Sequence, residues 1–244
     1  MKQLLLLSIL GVVLISCKKE NMGDCFKSTG IVKKETRMLE DFDSIYVDRR
    51  LNIVLVQDSV NFAVVEAGEN LLGLIDTEVK NGKLTLQNNN KCNWVRSYKI
   101  PVNIEVHTNN LQHIVMWGVS YITNIDTLTF PKLVVEYRDA SGKVELIVDN
   151  ELTNIIQHTG AGDAIIHGKT EQLTVYMSSL TFGDYTDLQA QNVYVDNRSS
   201  ADCKVLGNQT FSFRLRGDGN IYYKGQGDII WEENTGNGVI KKIL

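Results

Sequence analysis

Asp163, Asp184 and Asp202 each follow a small-residue turn, at spacings of 21 and 18 residues. With Ser120, Lys143 and Asn220 they read as one recurring position of a repeated turn. Stacked coil on coil, equivalent positions stand roughly 5 Å apart, the ordinary strand spacing. Neighbouring carboxylates repel at that range, and a hard cation such as Ca²⁺, which takes oxygen ligands, would bridge two of them. The competing role is structural, because aspartate caps turns by accepting backbone N–H bonds. Lys143 would offset Asp163, and like-charge repulsion in water is worth only about 1 kcal/mol here. No other cofactor is implied.

The same acids give little support to catalysis. Glycoside hydrolysis needs two carboxylates at a set separation across one bond, whereas these lie along a turn edge. A polysaccharide lyase would need a basic side chain among partners, and Arg138, Arg198 and Arg214 do not form a marked set. The chain has no Gly-x-Ser-x-Gly, His-Glu-x-x-His or phosphate-loop motif. His107, His113, His158 and His167 are scattered singly. A non-enzymatic role is expected, with a carbohydrate-active enzyme as the third choice.

Binding chemistry is better supplied. If the alternating runs starting at Leu133, Leu152, Leu173, Val193 and Phe211 stack, their outward positions form rows. One row holds Glu136, Ile155, Tyr176, Asp196 and Arg214. The next holds Arg138, Gln157, Ser178, Arg198 and Arg216, and the one before holds Thr174, Tyr194 and Ser212. Tyr176, Tyr194, Asp196, Arg198, Arg214 and Arg216 are the candidate face for a glycan or protein ligand, with aromatic rings to stack and polar tips to orient it. The plainer reading is a solvated sheet face, where a cross-strand pair such as Asp196–Arg214 adds at most about 1 kcal/mol.

The elements that would position these residues are short and alternating: Ile45-Tyr46-Val47, Leu51 to Val56, Leu84-Thr85-Leu86, Val102 to Val106. Helical periodicity is absent, and Gly, Asn and Asp carry the turns, with only two prolines in the chain. The five runs named above are spaced by 19, 21, 20 and 18 residues, each followed by a turn such as Gly160-Ala161-Gly162-Asp163 and a second short strand. A unit of that size cannot bury its own apolar face, but stacked copies can. The reading is all-β: a right-handed parallel β-helix with about 20 residues per coil, regular over 111–244 after an irregular start over 30–110. An antiparallel sandwich would share the alternation. Cys203, at the place Ala164 takes one coil earlier, should point inward as a small apolar residue.

The N-terminus carries a different signal. MKQLLLLSILGVVLISC has a basic n-region and an apolar core too short to span a bilayer. Its end, Leu14-Ile15-Ser16-Cys17, resembles a bacterial lipobox. The resemblance implies removal of residues 1–16, acylation of Cys17, and a tether over 17–29 leading into a single domain over 30–244. Several acyl chains would anchor the protein durably to a membrane. Of the three remaining cysteines, Cys25 and Cys92 are candidates for a disulfide. The net charge of −4 argues against nucleic acid as a partner.

Four stretches, "FDSIYVDRRLNIVLVQ", "NLLGLIDTEVKNGKLTLQ", "YKIPVNIEVHTNNLQHIVMWGVS" and the degenerate Gly-x-Gly-Asp turns, together resemble the DUF2807 family, also described as putative auto-transporter adhesin, head GIN domain. The resemblance covers roughly residues 40–240 and implies a β-helical cell-envelope protein with an adhesive role. The expectation is therefore an outer-membrane lipoprotein, on the cell surface or the periplasmic face, that binds rather than catalyses. A structural or assembly role in the envelope is the alternative.

Overall fold

The computed structural model describes residues 28–91 and 101–244. Cys17, Cys25 and Cys92 fall outside them, so the lipidation and disulfide expectations lie outside the described residues. The structure is a β-solenoid of about six turns with roughly 20 residues per turn. Each coil contributes one strand segment to each of two stacks, which we term the first and second faces.

The irregular start uses β1 (Val32–Met38), β2 (Ser44–Asp48), β3 (Asn52–Gln57), β4 (Phe62–Gly68), β5 (Ile75–Lys80), β6 (Lys83–Asn88) and β7 (Asn103–Thr108). β8 (His113–Gly118), β9 (Tyr121–Asn124), β10 (Lys132–Ala140), β11 (Lys143–Gln157), β12 (Asp163–Ser179), β13 (Phe182–Ser199) and β14 (Cys203–Leu215) form the regular coils. β15 (Ile221–Lys224), β16 (Asp228–Asn234) and β17 (Ile240–Lys242) end the stack. Coil-to-coil pairing is parallel throughout, from β2, β3, β6 and β7 to the end.

The coils do not stack in chain order at the start. β2 lies between β6 and β8, and β3 lies between β7 and β9. Antiparallel strands close this end: β5 pairs β6 on the second face, while β4 pairs β7 and β1 pairs β4 on the first. At the far end β16 pairs β14 and β17 pairs β15, with no further described strand beyond them.

Period-2 alternation packs the interior. On the second face Leu84, Ile45, Ile114, Val135, Ile155, Val175, Val195 and Phe213 are successive register partners, and all are buried. Burying one such aliphatic side chain is worth about 1.5–3 kcal/mol. On the first face the matching positions shrink to Ala164, Gly183 and Cys203 in the middle coils. A Cβ on Gly183 would lie 2.6 Å from the Tyr185 hydroxyl, so the small residues make room for buried Tyr137 and Tyr185. Cys203 is fully buried, as expected, although Ala164 stands two coils earlier, with Gly183 between.

The repeat itself needs correcting by one residue. Leu133 pairs with Thr153, not Leu152, and the row continues through Leu173, Val193 and Phe211. A one-residue slip exchanges the faces of a strand. Thr153, Ile155 and Gln157 therefore point inward, and Ile156 and His158 outward. Gln157 is buried beside the turns, where its Nε2 donates to the carbonyls of Gly162 and Phe182. Asn197 does the same two coils later, donating to Ala201 and Asn220. Both turns are thus satisfied from inside the core.

Turn length also varies. Between Gln157 and Asp163 lie five residues, but between Met177 and Phe182, their register partners, lie four. Gly160 takes φ 112, and a Cβ there would lie 2.0 Å from the Ala140 carbonyl oxygen, so the closest approach of two turns requires glycine.

Candidate functional site

The expected aspartate ladder does not form. The turn between Met177 and Phe182 is one residue shorter than that between Gln157 and Asp163, so Phe182 pairs with Asp163 and Asp184 lies two positions further along the strand. Asp184 lies in the strand, between Ile165 and Lys204, and Phe182-Gly183-Asp184 is not a turn. Tyr121, not Ser120, is the partner of Lys143. Asp163 and Asp202 are thus two coils apart in one row, and Asp184 belongs to another. Asp202 instead caps a turn: its Oδ1 accepts from the Asn220 backbone N–H and side-chain amide, both at 2.9 Å. Asp184 Oδ1 accepts from Thr186 in the same manner. Among the described residues no group of three His, Cys, Asp or Glu side chains is placed to hold a metal ion.

The second face is organised differently. Its central outward row runs Glu136, Ile156, Tyr176, Asp196, Arg214 and Glu233 through consecutive coils. Alternation from a packed strand turns these side chains out, yet Glu136 and Asp196 are only 6% and 5% exposed, because cations fold over them. Asp196 is gripped by two guanidiniums. Arg216 Nη2 donates to its Oδ2 at 2.6 Å and Nε to its Oδ1 at 3.4 Å. Arg198 repeats the fork at 3.1 and 3.3 Å. Such two-point contacts fix geometry as well as energy.

Glu136 forms the second centre. Its Oε1 accepts from Arg138 Nε at 2.6 Å and from His158 Nε2 at 3.0 Å, and its Oε2 lies 3.1 Å from His113 Nε2. For both carboxylates burial alone would raise the pKa. Hydrogen bonds and facing charge outweigh it, from Arg138 with the His158 and His113 rings beside it at Glu136 and from Arg198 and Arg216 at Asp196, and hold each carboxyl below its ordinary value. Bonding to Asp196 in turn raises Arg198 further.

The aromatic rings are already occupied. The Arg198 guanidinium lies 5.1 Å from the Tyr176 ring centroid, and Arg214 lies 4.9 Å from that of Trp231 while donating to Glu233 at 3.0 Å. The His158 ring packs against Tyr176 itself, with centroids 5.9 Å apart. Tyr194 lies one outward position earlier, between Thr174 and Ser212. All six residues of the expected face therefore share one side of the solenoid, and four of them, Tyr176, Asp196, Arg198 and Arg216, join directly through these contacts. The exposed rim, in order of coils, is Arg138, His158, Ser178, Arg198 and Arg216.

Sequence reasoning put Glu136 in the outward row but missed His113, His158 and Trp231 as members. His158 and Ile156 were lost to the one-residue slip, which had put Gln157 and Ile155 outside. Reading Thr153 as inward restores an even period of 20 and reveals them. Cys203 offers no nucleophile, since burial pushes its thiol far above the ordinary range.

Among the described residues the first face buries no carboxylate; at its irregular start the arrangement is inverted, His107 lying 13% exposed between Asp58 at 2.9 Å and Glu105 at 2.7 Å. Lys143 Nζ donates to Glu145 Oε2 at 2.6 Å and the Tyr121 hydroxyl donates to it at 3.0 Å, but Glu145 and Lys143 are each about one-third exposed. His167 stands between Glu145 and Asp187 at 3.7 and 3.5 Å.

A family model described as putative auto-transporter adhesin, head GIN domain, matches residues 41–227. Among solved structures, a putative adhesin from Bacteroides fragilis superposes with a TM-score of 0.78 at 22% identity, covering 87% of this chain and 97% of that one. A structure titled putative lipid binding protein, from Parabacteroides distasonis, gives 0.66 at 18% identity, covering 89% and 98%. A putative adhesin from the same species gives 0.61 at 17%, covering 88% and 98%. At these identities the likeness concerns the fold. No curated protein matches the chain.

Proposed function

The chain belongs to the DUF2807 family, described as putative auto-transporter adhesin, head GIN domain, and from that premise we propose that it is a non-catalytic, adhesin-like module that binds its ligand through the second face. The observation that carries this reading is the pair of buried carboxylates, Glu136 and Asp196, each roofed by fixed cations. A merely solvated face would gain little from such order, since exposed ion pairs are worth about 0–1 kcal/mol. A preorganised array lowers the entropy lost when a ligand is captured. The fold also suits an open surface rather than a cleft, and binding rather than turnover.

Attachment to the outer membrane through an acylated Cys17 completes the proposal. Intact-mass analysis of the membrane-extracted protein should show a mature N-terminus at Cys17 with added acyl mass. Recovery of an unacylated soluble form would contradict it. The adhesive reading is tested with particles coated with the purified chain and washed over extracellular matrix and bacterial envelopes. Retention above that of uncoated particles, lost when the second face is altered, is expected. Equal retention for coated and uncoated particles would overturn it.

A further inference from the structure

The geometry points to an acidic polysaccharide, lying along the solenoid axis, as the ligand of the second face. This rests on the binding role just proposed and deepens it. Two of the three rings that could stack on a neutral sugar each carry a guanidinium on one side, Arg198 on Tyr176 and Arg214 on Trp231, and the third, Tyr194, is half-buried between Thr174 and Ser212. What the surface presents is therefore the outer side of those guanidiniums, already oriented by the carboxylates beneath.

The charge balance favours an anion. Asp196 carries one negative charge and is shared by two arginines, so the pair leaves one positive charge in excess. The carboxylate lies underneath at 7% side-chain exposure, and the arginines above at 42% and 31%. Glu136 is similarly buried, and Arg138 over it is 53% exposed. A chain of net charge −4 thus concentrates positive charge along one rim.

The spacing favours a sugar polymer over a peptide. Arg198 and Arg216 lie on consecutive coils, and the rim from Arg138 to Arg216 spans five coils, roughly 19 Å at the strand spacing. An extended peptide laid along that axis advances about 3.3 Å per residue and brings side chains to one side every second residue, about 6.6 Å. That repeat does not match the coil spacing of roughly 4.8 Å. The cations are unevenly spaced, Arg198 three coils beyond Arg138 and Arg216 one coil further, and rotation about glycosidic linkages lets the acidic groups of a sugar polymer meet such unequal intervals. The one aliphatic side chain of the central row, Ile156, is half-buried and its row neighbours are carboxylate, tyrosine and arginine, short of the apolar centre of a protein interface.

The test is titration of the purified chain with polygalacturonate, with dextran of matched length as the neutral polymer and poly-glutamate as the acidic peptide. Polygalacturonate should bind, and dextran should not. Poly-glutamate should bind at least about tenfold more weakly, the loss of one charge-assisted contact. Raising salt from about 0.05 to about 0.5 M should weaken binding strongly, because it shortens the screening length. Replacing Arg198 and Arg216 by Gln strands Asp196, so the informative variant is Asp196→Asn/Arg198→Gln/Arg216→Gln, checked for an unchanged β-sheet circular dichroism spectrum. It should lose at least about tenfold in affinity, while Lys33→Gln/Lys34→Gln, at the capped end, keeps it. Equal binding of dextran, poly-glutamate binding as tightly as polygalacturonate, or an unaffected triple variant would each overturn the inference. Coated particles that still adhere through this face in those cases would leave the adhesive reading standing. Loss of both would remove it as well.

Discussion

The two faces of the solenoid share one backbone, one coil spacing and the same charged residue types, yet they use charge in opposite ways. On the second face the carboxylates of Glu136 and Asp196 are buried and the cations lie outside them. On the first face acid and base stand side by side in solvent, as with Glu145, Lys143 and His167. The first arrangement holds an oriented cationic surface, and the second neutralises itself locally. A repetitive scaffold therefore does not impose a repetitive surface. The difference comes from which outward position carries the acid and whether two cations on adjacent coils can reach it.

Stability measurements should separate the faces. The largest effect is expected for Arg198→Ala/Arg216→Ala, which uncovers Asp196 and removes both of its charged donors. Thermal unfolding should show a loss of about 2 kcal/mol, or roughly 6 °C in a chain of this size. Adding Asp196→Asn should restore most of that loss. A double variant as stable as the parent would mean that the two faces do not differ in substance.

Acid should reveal a smaller difference of the same kind. Asp196 and Glu136 have folded-state pKa values below the ordinary ones. Their stabilisation is complete above the unfolded carboxylate value of about 4 and is lost as pH falls through the lowered folded values. Asp196→Asn/Glu136→Gln should therefore flatten the acid limb of a stability–pH curve more than Glu145→Gln does. An identical acid limb in the two variants would break the comparison. The smallest change is expected for Lys143→Ala on the first face, less than about 1 kcal/mol by denaturant titration. A loss as large as that of the arginine pair would show that the first face also depends on its charges.

Much of the fold was legible in the sequence because the alternation of Leu173-Val175-Met177 and Phe211-Phe213-Leu215 reports inward positions directly. The second coil was misread because its inward row is polar: Thr153 and Gln157 occupy places where an apolar residue was expected. Gln157 is tolerated there since it bonds turn carbonyls from inside. The aspartate ladder failed for a related reason. Counting turns by composition made Phe182-Gly183-Asp184 equivalent to the Gly-Asp turns, but Gly183 is glycine for the sake of the Tyr185 ring, inside a strand. The intercalation of β2 and β3 between later strands was not readable from local pattern, because it depends on pairings across 39 and 51 residues. At the second face, the arginines and tyrosines could be placed by spacing. The two histidines on Glu136 come from the coils on either side of it, and only the register brings them together.

The guanidiniums of the second face are proposed to hold the ligand. The most direct measurement is dicarbonyl labelling of arginines, read by peptide mass spectrometry, with and without polygalacturonate. Arg138, Arg198, Arg214 and Arg216 should lose label in its presence, while Arg49, whose side chain is 49% exposed in the irregular start, keeps it. Equal labelling of all five with bound polymer present, or protection of Arg49 alone, would contradict the claim.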